Sequence, residues 1–173
     1  HDPRVPKHLQ EEMLKWGYPK DEYVDNGNWS HQAYIRETRR MMGSYVMTQH
    51  NCEGMETVQD GVGMAAYTMD SHNIQRLVVN GMVKNEGDVQ IGGFPPYPIS
   101  YGSIIPKPTD CKNLLVPVCL SATHIAYGSI RMEPVFMVLA QSSATAAVQA
   151  IDKRIAIQQV NIQELQKVLR DNP

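Results

Sequence analysis

Phenylalanine is almost missing from this sequence: two residues of 173, against ten methionines. Such a core is adaptable and has few large rigid anchors. A charge excess is missing too. Sixteen basic and eighteen acidic residues give a formal net charge of -2, so bulk charge favours neither a nucleic acid nor an anionic membrane surface. Tyrosines and tryptophans are scattered, without the spacing of a base-stacking platform. No unbroken apolar run has the length of a membrane span; the longest, 135–140, is far too short. The start lacks the basic flank and apolar segment of a secretory leader. Cys-x-x-Cys is absent, and the three cysteines, Cys52, Cys111 and Cys119, are odd in number. That excludes a disulfide framework and a zinc knuckle. Buried free thiols are the default, although Cys111 and Cys119 could pair. The cysteines leave the compartment open, periplasmic or secreted included. The pairs His50/Cys52 and Asp70/His72 lack third and fourth ligands, so no metal site is expected. "YGSIR" is not a G-x-S-x-G elbow. Nowhere does G-x-G-x-x-G follow a strand: "GVGMAA" at 61–66 lacks the third glycine and a later acidic partner.

What is present reads as a mixture of short helices and strands. "VPKHLQEEMLKWGYP" is a helix bracketed by Pro6 and Gly17, with Leu9, Met13 and Trp16 on one face. Asn26-Gly27 signals a turn. "AYIRETRRMMGSYVMT" at 33–48 permits a helix by composition, but the alternation favours extended chain. Its Arg36, Arg39 and Arg40, interrupted by Glu37, suit a solvated or salt-bridged face better than a phosphate patch. Asn80-Gly81 between apolar pairs is a hairpin signal. The proline-bounded "PPYPISYGSIIP" is an edge or bulged strand. "KNLLVPVCLSA" reads as a buried parallel strand. A buried helix is expected from about Glu133 to Arg154, its small residues 140–147 facing a sheet or a cofactor. Asn161 and Glu164 form a capping box for a last amphipathic helix with Ile162, Leu165, Val168 and Leu169 inward. Opening at "HDPRVP" and stopping at "RDNP", the chain reads as an excised piece of a longer one. Three regions are expected: 1–33, an N-terminal helix and polar connection; 34–110, a substrate-side sheet region; and 111–173, with a strand, the buried helix and the terminal helix.

The stretch "ATHIAYGSIRMEPVFMVLAQSSATAA" at 122–147 places a histidine, a Gly-Ser pair and an arginine ahead of an apolar helix. Unpaired N–H groups at that helix start, with Arg131, can receive an anion or a dipole. Plain helix-on-sheet packing, with Arg131 paired to a carboxylate, accounts for the same pattern. "NLLVPVCLSATHIAYGSIRMEPVFMVLAQSSATAA" resembles the C-terminal flavin-binding segment of FAD-dependent oxidoreductases of the glutathione-reductase-like superfamily. More narrowly it is similar to a bacterial branch found in polysaccharide-degrading bacteria, some members of which are named xanthan lyases. "IRETRRMMGSYVMT", "YTMDSH" and "YPISYGSIIPK" match too, so that the likeness spans roughly 34–152.

The resemblance implies a mixed α/β fragment of an FAD/NAD(P)-binding-type fold without the N-terminal dinucleotide-binding βαβ unit. It carries Ser129, Ile130, Arg131, Met132 and Glu133 onto the flavin contact region and His124 onto a loop near the ring. Asp70 and His72 come from the substrate side. His72 and His124 are the candidates for proton transfer or substrate orientation. Arg131 would stabilise reduced flavin. The chain departs from its relatives at Gly102, where arginine is common, at "VPV" 116–118, and at Ala140, where glycine is common. FAD is the implied cofactor of the parent protein. None is expected on this chain alone, because the adenosine-pyrophosphate half has no cradle. The implied function is hydride transfer between flavin and an organic, carbohydrate-related substrate. Two alternatives stand beside it: a non-catalytic scaffold module of a polysaccharide-degrading protein, and a lyase using Tyr101, His124 and Arg131. The partners expected are the small-molecule or carbohydrate substrate, the remainder of the parent chain and, where the buried helix lacks neighbours, a second copy in a two-fold dimer.

Overall fold

The computed structural model describes residues 2–32, 37 and 39–172. The chain divides into two compact units, His1–Ile35 and Arg36–Pro173. The first holds α1 (Lys7–Met13) and a 3-10 turn at Val24–Asn26. Pro6 stands at the N-cap of α1. Leu9, Met13 and Trp16 are all exposed. An edge-to-face contact of Tyr18 on Trp29, with ring centroids 5.2 Å apart, is among the packing of this unit.

The second unit is mixed α+β, as expected. Its strands are β1 (Gly61–Ala65), β2 (Met69–Ser71), β3 (Gln75–Val79), β4 (Met82–Glu86), β5 (Val89–Ile91) and β6 (Tyr97–Ser100). They pair antiparallel in three two-stranded sheets: β1 with β6, β2 with β5, β3 with β4. The β3–β4 hairpin turns at Asn80 (φ 52) and Gly81 (φ 74). Two positive-φ residues match the right-handed twist of the strands, the reason Asn-Gly marks such hairpins. The β1–β6 register shifts between Gly61 and Gly63, in keeping with a proline-containing strand whose Pro98 donates nothing to the ladder.

Among the described residues this unit has four α-helices, α2 (Gln49–Cys52), α3 (His124–Ile130), α4 (Glu133–Lys153) and α5 (Ile162–Asp171), beside short 3-10 turns. Asn161 caps α5 by accepting from the Glu164 N–H at 3.1 Å. Leu165 is fully buried beneath that helix. Lys153 and Glu164 form an ion pair between α4 and α5. On α4, Leu139, Ser142 and Ala146 turn inward, and the Ser142 hydroxyl donates to the Val62 carbonyl of β1. An added Cβ on Gly63 would stand 3.1 Å from Leu139 and Val138, so glycine permits this close helix-on-strand seat.

Three expectations are corrected. Residues 113–120 form no strand. Pro117 interrupts any ladder, and the segment bonds irregularly: the Val116 N–H to the Ile104 carbonyl, the Ser121 N–H to Ser103, and Cys119 accepting from Met41. Leu114 and Val118 are exposed. α4 is buried along one face only, with Met137, Val138, Val148 and Ile151 exposed. Its 21 residues are also apolar enough by composition to cross a membrane, which a count of consecutive apolar residues overlooked. Residues 39–48 form neither helix nor strand: the chain bends at Ser44 and Tyr45 and makes single bridges from Gly43 to Pro106 and from Met47 to Ala122; 33–36 and 38 lie outside the described residues. The cysteines are free thiols, and only Cys52 is fully buried.

Tyr97, Tyr101 and Tyr127 anchor the core in place of phenylalanine. Each hydroxyl donates inward: Tyr97 to Ser129 at 2.7 Å, Tyr101 to the Ile157 carbonyl and Tyr127 to the Val118 carbonyl, both at 2.8 Å. Burial raises all three phenols above their ordinary range, Tyr127 to about 12. Folding therefore favours the neutral phenol. Its contribution is intact below the unfolded value near 10 and is lost as pH rises from there through the folded value. For Tyr127 the loss at the top of that window is roughly 2 kcal/mol. Urea unfolding at stepped alkaline pH should show stability falling above pH ~10, with a shallower fall in Tyr127→Phe. Simultaneous ionisation of all tyrosines near pH 10 in the folded chain would contradict it.

Candidate functional site

The site forms where α3 lies against β2. An added Cβ on Gly128 would stand 2.5 Å from the Asp70 carbonyl oxygen. Only glycine lets the helix backbone come this near the strand. Thr123 starts α3 by accepting from the Ala126 N–H at 3.3 Å, which makes His124 the first residue of a helix. The expectation that His124 lies on a loop is thereby corrected. The signal was Thr123 itself, a good N-cap residue type.

Arg131 follows α3 directly. Among the described residues it is the one charged side chain in the buried set. Its guanidinium donates to the Asp70 carbonyl at 3.0 Å and lies 3.9 Å from the Asp70 carboxylate. On its other side it stands 3.4 Å from Glu37 Oε2. Glu37 Oε1 is 2.8 Å from His124 Nδ1. One partly buried glutamate thus joins the buried arginine to the half-exposed histidine. Glu37 passed unnoticed in sequence as an interruption of an arginine run. No local pattern marks it, since its partners lie 87 and 94 positions away. Nearby, Arg40 donates to the Ala122 carbonyl at 3.0 Å and stacks 5.1 Å above the Tyr127 ring.

The other expected residues separate into two groups. Ser129 and Ile130 are fully buried. The Ser129 hydroxyl accepts from Tyr97 and donates to the Tyr67 carbonyl. Met132, half-buried, is the N-cap of α4, and Glu133 opens its first turn with Pro134 beside it. His72 is exposed, one residue beyond β2 and two from Asp70. No described contact ties it to His124. Among the described residues no three of His, Cys, Asp and Glu converge as a metal cluster would need.

A family model for FAD dependent oxidoreductases matches residues 3–169. The chain belongs to the FAD-dependent oxidoreductase family. No curated protein and no solved structure matches it. For the cofactor of this oxidoreductase family, the residues present fit in part. Arg131 and the Met132–Glu133 turn offer a cation and the positive end of a 21-residue helix, suited to the flavin edge that gains charge on reduction. Ser129 and Ile130 have their side chains in the core and back the turn. The described sheets are all two-stranded and antiparallel, so they supply no parallel βαβ cradle for the adenosine-pyrophosphate half. At Gly102 an added Cβ would stand 2.9 Å from the Tyr45 Cβ, so the backbone packs closely there.

Two outcomes follow from this geometry. Gly128→Ala should force α3 away from β2 and cost about 1–3 kcal/mol in a chemical denaturation series; an unchanged midpoint would show the approach to be slack. Arg131→Met should leave Glu37 and Asp70 uncompensated and cost roughly 2–4 kcal/mol, scaled down from a fully buried pair because both carboxylates retain solvent contact. A melting temperature equal to wild type would remove Arg131 from the stabilising framework.

Proposed function

We propose that this chain is the C-terminal, flavin-side part of an oxidoreductase that moves hydride between an organic substrate and FAD. The observation that carries the reading is the buried Arg131 immediately before the N-terminus of α4, in a chain of this family. The resemblance nominates carbohydrates as the first substrate class to assay. When bound, the flavin supplies the hydride-accepting ring. Arg131 and the backbone end of α4 at Met132 and Glu133, with the exposed Glu133 carboxylate turned away from the ring, would hold its charge-gaining edge, and Ser129 and Ile130 would support them from behind. His124, half-exposed and seated on Glu37, is the residue to move a proton or orient a substrate hydroxyl. His72, exposed beyond β2, is the second candidate, from the substrate side. Arg131 therefore has two roles: it pairs with carboxylates of its own chain and sets the local potential for a ligand.

The natural full-length protein should carry flavin absorbance that bleaches on reduction, and Arg131→Lys, which keeps the charge, should hold the flavin midpoint potential closer to wild type than Arg131→Met does. Removing the cation is expected to lower the potential, because the reduced, anionic ring loses its counter-charge. A purified full-length protein without flavin, and unable to take it up when refolded with FAD, would overturn the reading.

A further inference from the structure

The contact between Glu37 and His124 determines more than charge. Glu37 Oε1 is buried and receives no well-aligned hydrogen bond, yet His124 Nδ1 stands 2.8 Å from it. A carboxylate oxygen offers only lone pairs. If Nδ1 were bare, two acceptors would face each other at hydrogen-bond distance, which is repulsive. A proton on Nδ1 makes the same separation attractive, and a small turn of the half-exposed ring aligns it. The other ring nitrogen, Nε2, has no partner among the described residues. The second oxygen of Glu37 is engaged by Arg131 at 3.4 Å, and Arg131 is itself held by Asp70. The carboxylate is thereby held from two sides, and its orientation toward His124 is not left to side-chain rotation. Among the described residues, Arg40 is committed to the Ala122 carbonyl and the Tyr127 ring.

We propose that Glu37 is a positioning residue: it holds neutral His124 as the Nδ1–H tautomer, leaving Nε2 as the acceptor for a substrate proton, while its second oxygen orients Arg131. A neutral histidine side chain free in water favours the opposite tautomer, with the proton on Nε2. The protein must impose this one, and the hydrogen bond at one ring nitrogen is the means of doing so. The use made of the tautomer rests on the oxidoreductase reading above; the tautomer itself does not.

The test is a long-range proton–nitrogen correlation spectrum of the 173-residue chain with labelled histidine, free of flavin, at a pH where the imidazoles are neutral. The His124 signals are assigned by their loss in His124→Gln. Wild type should show Nδ1 protonated in most molecules. Glu37→Ala should move the proton to Nε2 in most molecules, and Glu37→Gln, whose amide oxygen still accepts, should retain it on Nδ1. Nε2–H as the main wild-type form overturns the inference, and does so even if Glu37→Ala fails to fold. Persistence of Nδ1–H in a folded Glu37→Ala overturns it as well. Failure to find flavin in the natural protein would sink the functional reading without touching this result.

Discussion

The buried guanidinium of Arg131 is the interaction around which this site is arranged. A cation at 3% exposure is tolerable only when its charge is answered nearby. Among the described residues that answer comes in part from two places far apart in sequence: Asp70, through both its carbonyl and its carboxylate, and Glu37. Meeting that demand brings the end of α3, the strand β2 and the segment around Glu37 to one point. Gly128 makes the arrangement possible, because only a residue without a Cβ lets α3 approach the Asp70 backbone.

The same arrangement gives the site its asymmetry. On the inner side, Tyr97, Ser129 and the Tyr67 carbonyl form a closed hydrogen-bond chain that satisfies every polar group it buries. On the outer side, the carboxylate of Glu37 reaches the half-exposed His124, and the N-terminus of α4 begins two residues after Arg131. Buried and half-exposed polar groups thus meet within ten residues of sequence.

Local features of the fold were legible where short-range chemistry decides. Asn80-Gly81 announced a hairpin, Asn161 and Glu164 announced the start of α5, and Pro134 announced α4. Reading failed where neighbours distant in sequence decide. "NLLVPVCLSA" has the apolar content of a buried strand, but Pro117 and irregular partners at Met41, Ser103 and Ile104 leave it without a ladder. α4 appeared apolar on every side, and the structure buries only the face that meets β1 and α5. His124 and Arg131 were identified as residues of interest from their own neighbourhood. Glu37 was not, for it sits in an arginine-rich run that reads as surface.

The sequence by itself determined the short-range elements, the family resemblance over most of the chain, and the place where a cation precedes a long helix. These depend on backbone preferences and spacings within a few residues, which a linear string records. Only the tertiary structure decided that Arg131 is buried between two carboxylates, that Ser129 belongs to the core, and that Glu37 faces His124. Each of those is a contact across 60 or more positions. Such contacts follow from where close backbone packing and the desolvation of charge force the chain together, and no local pattern carries that information.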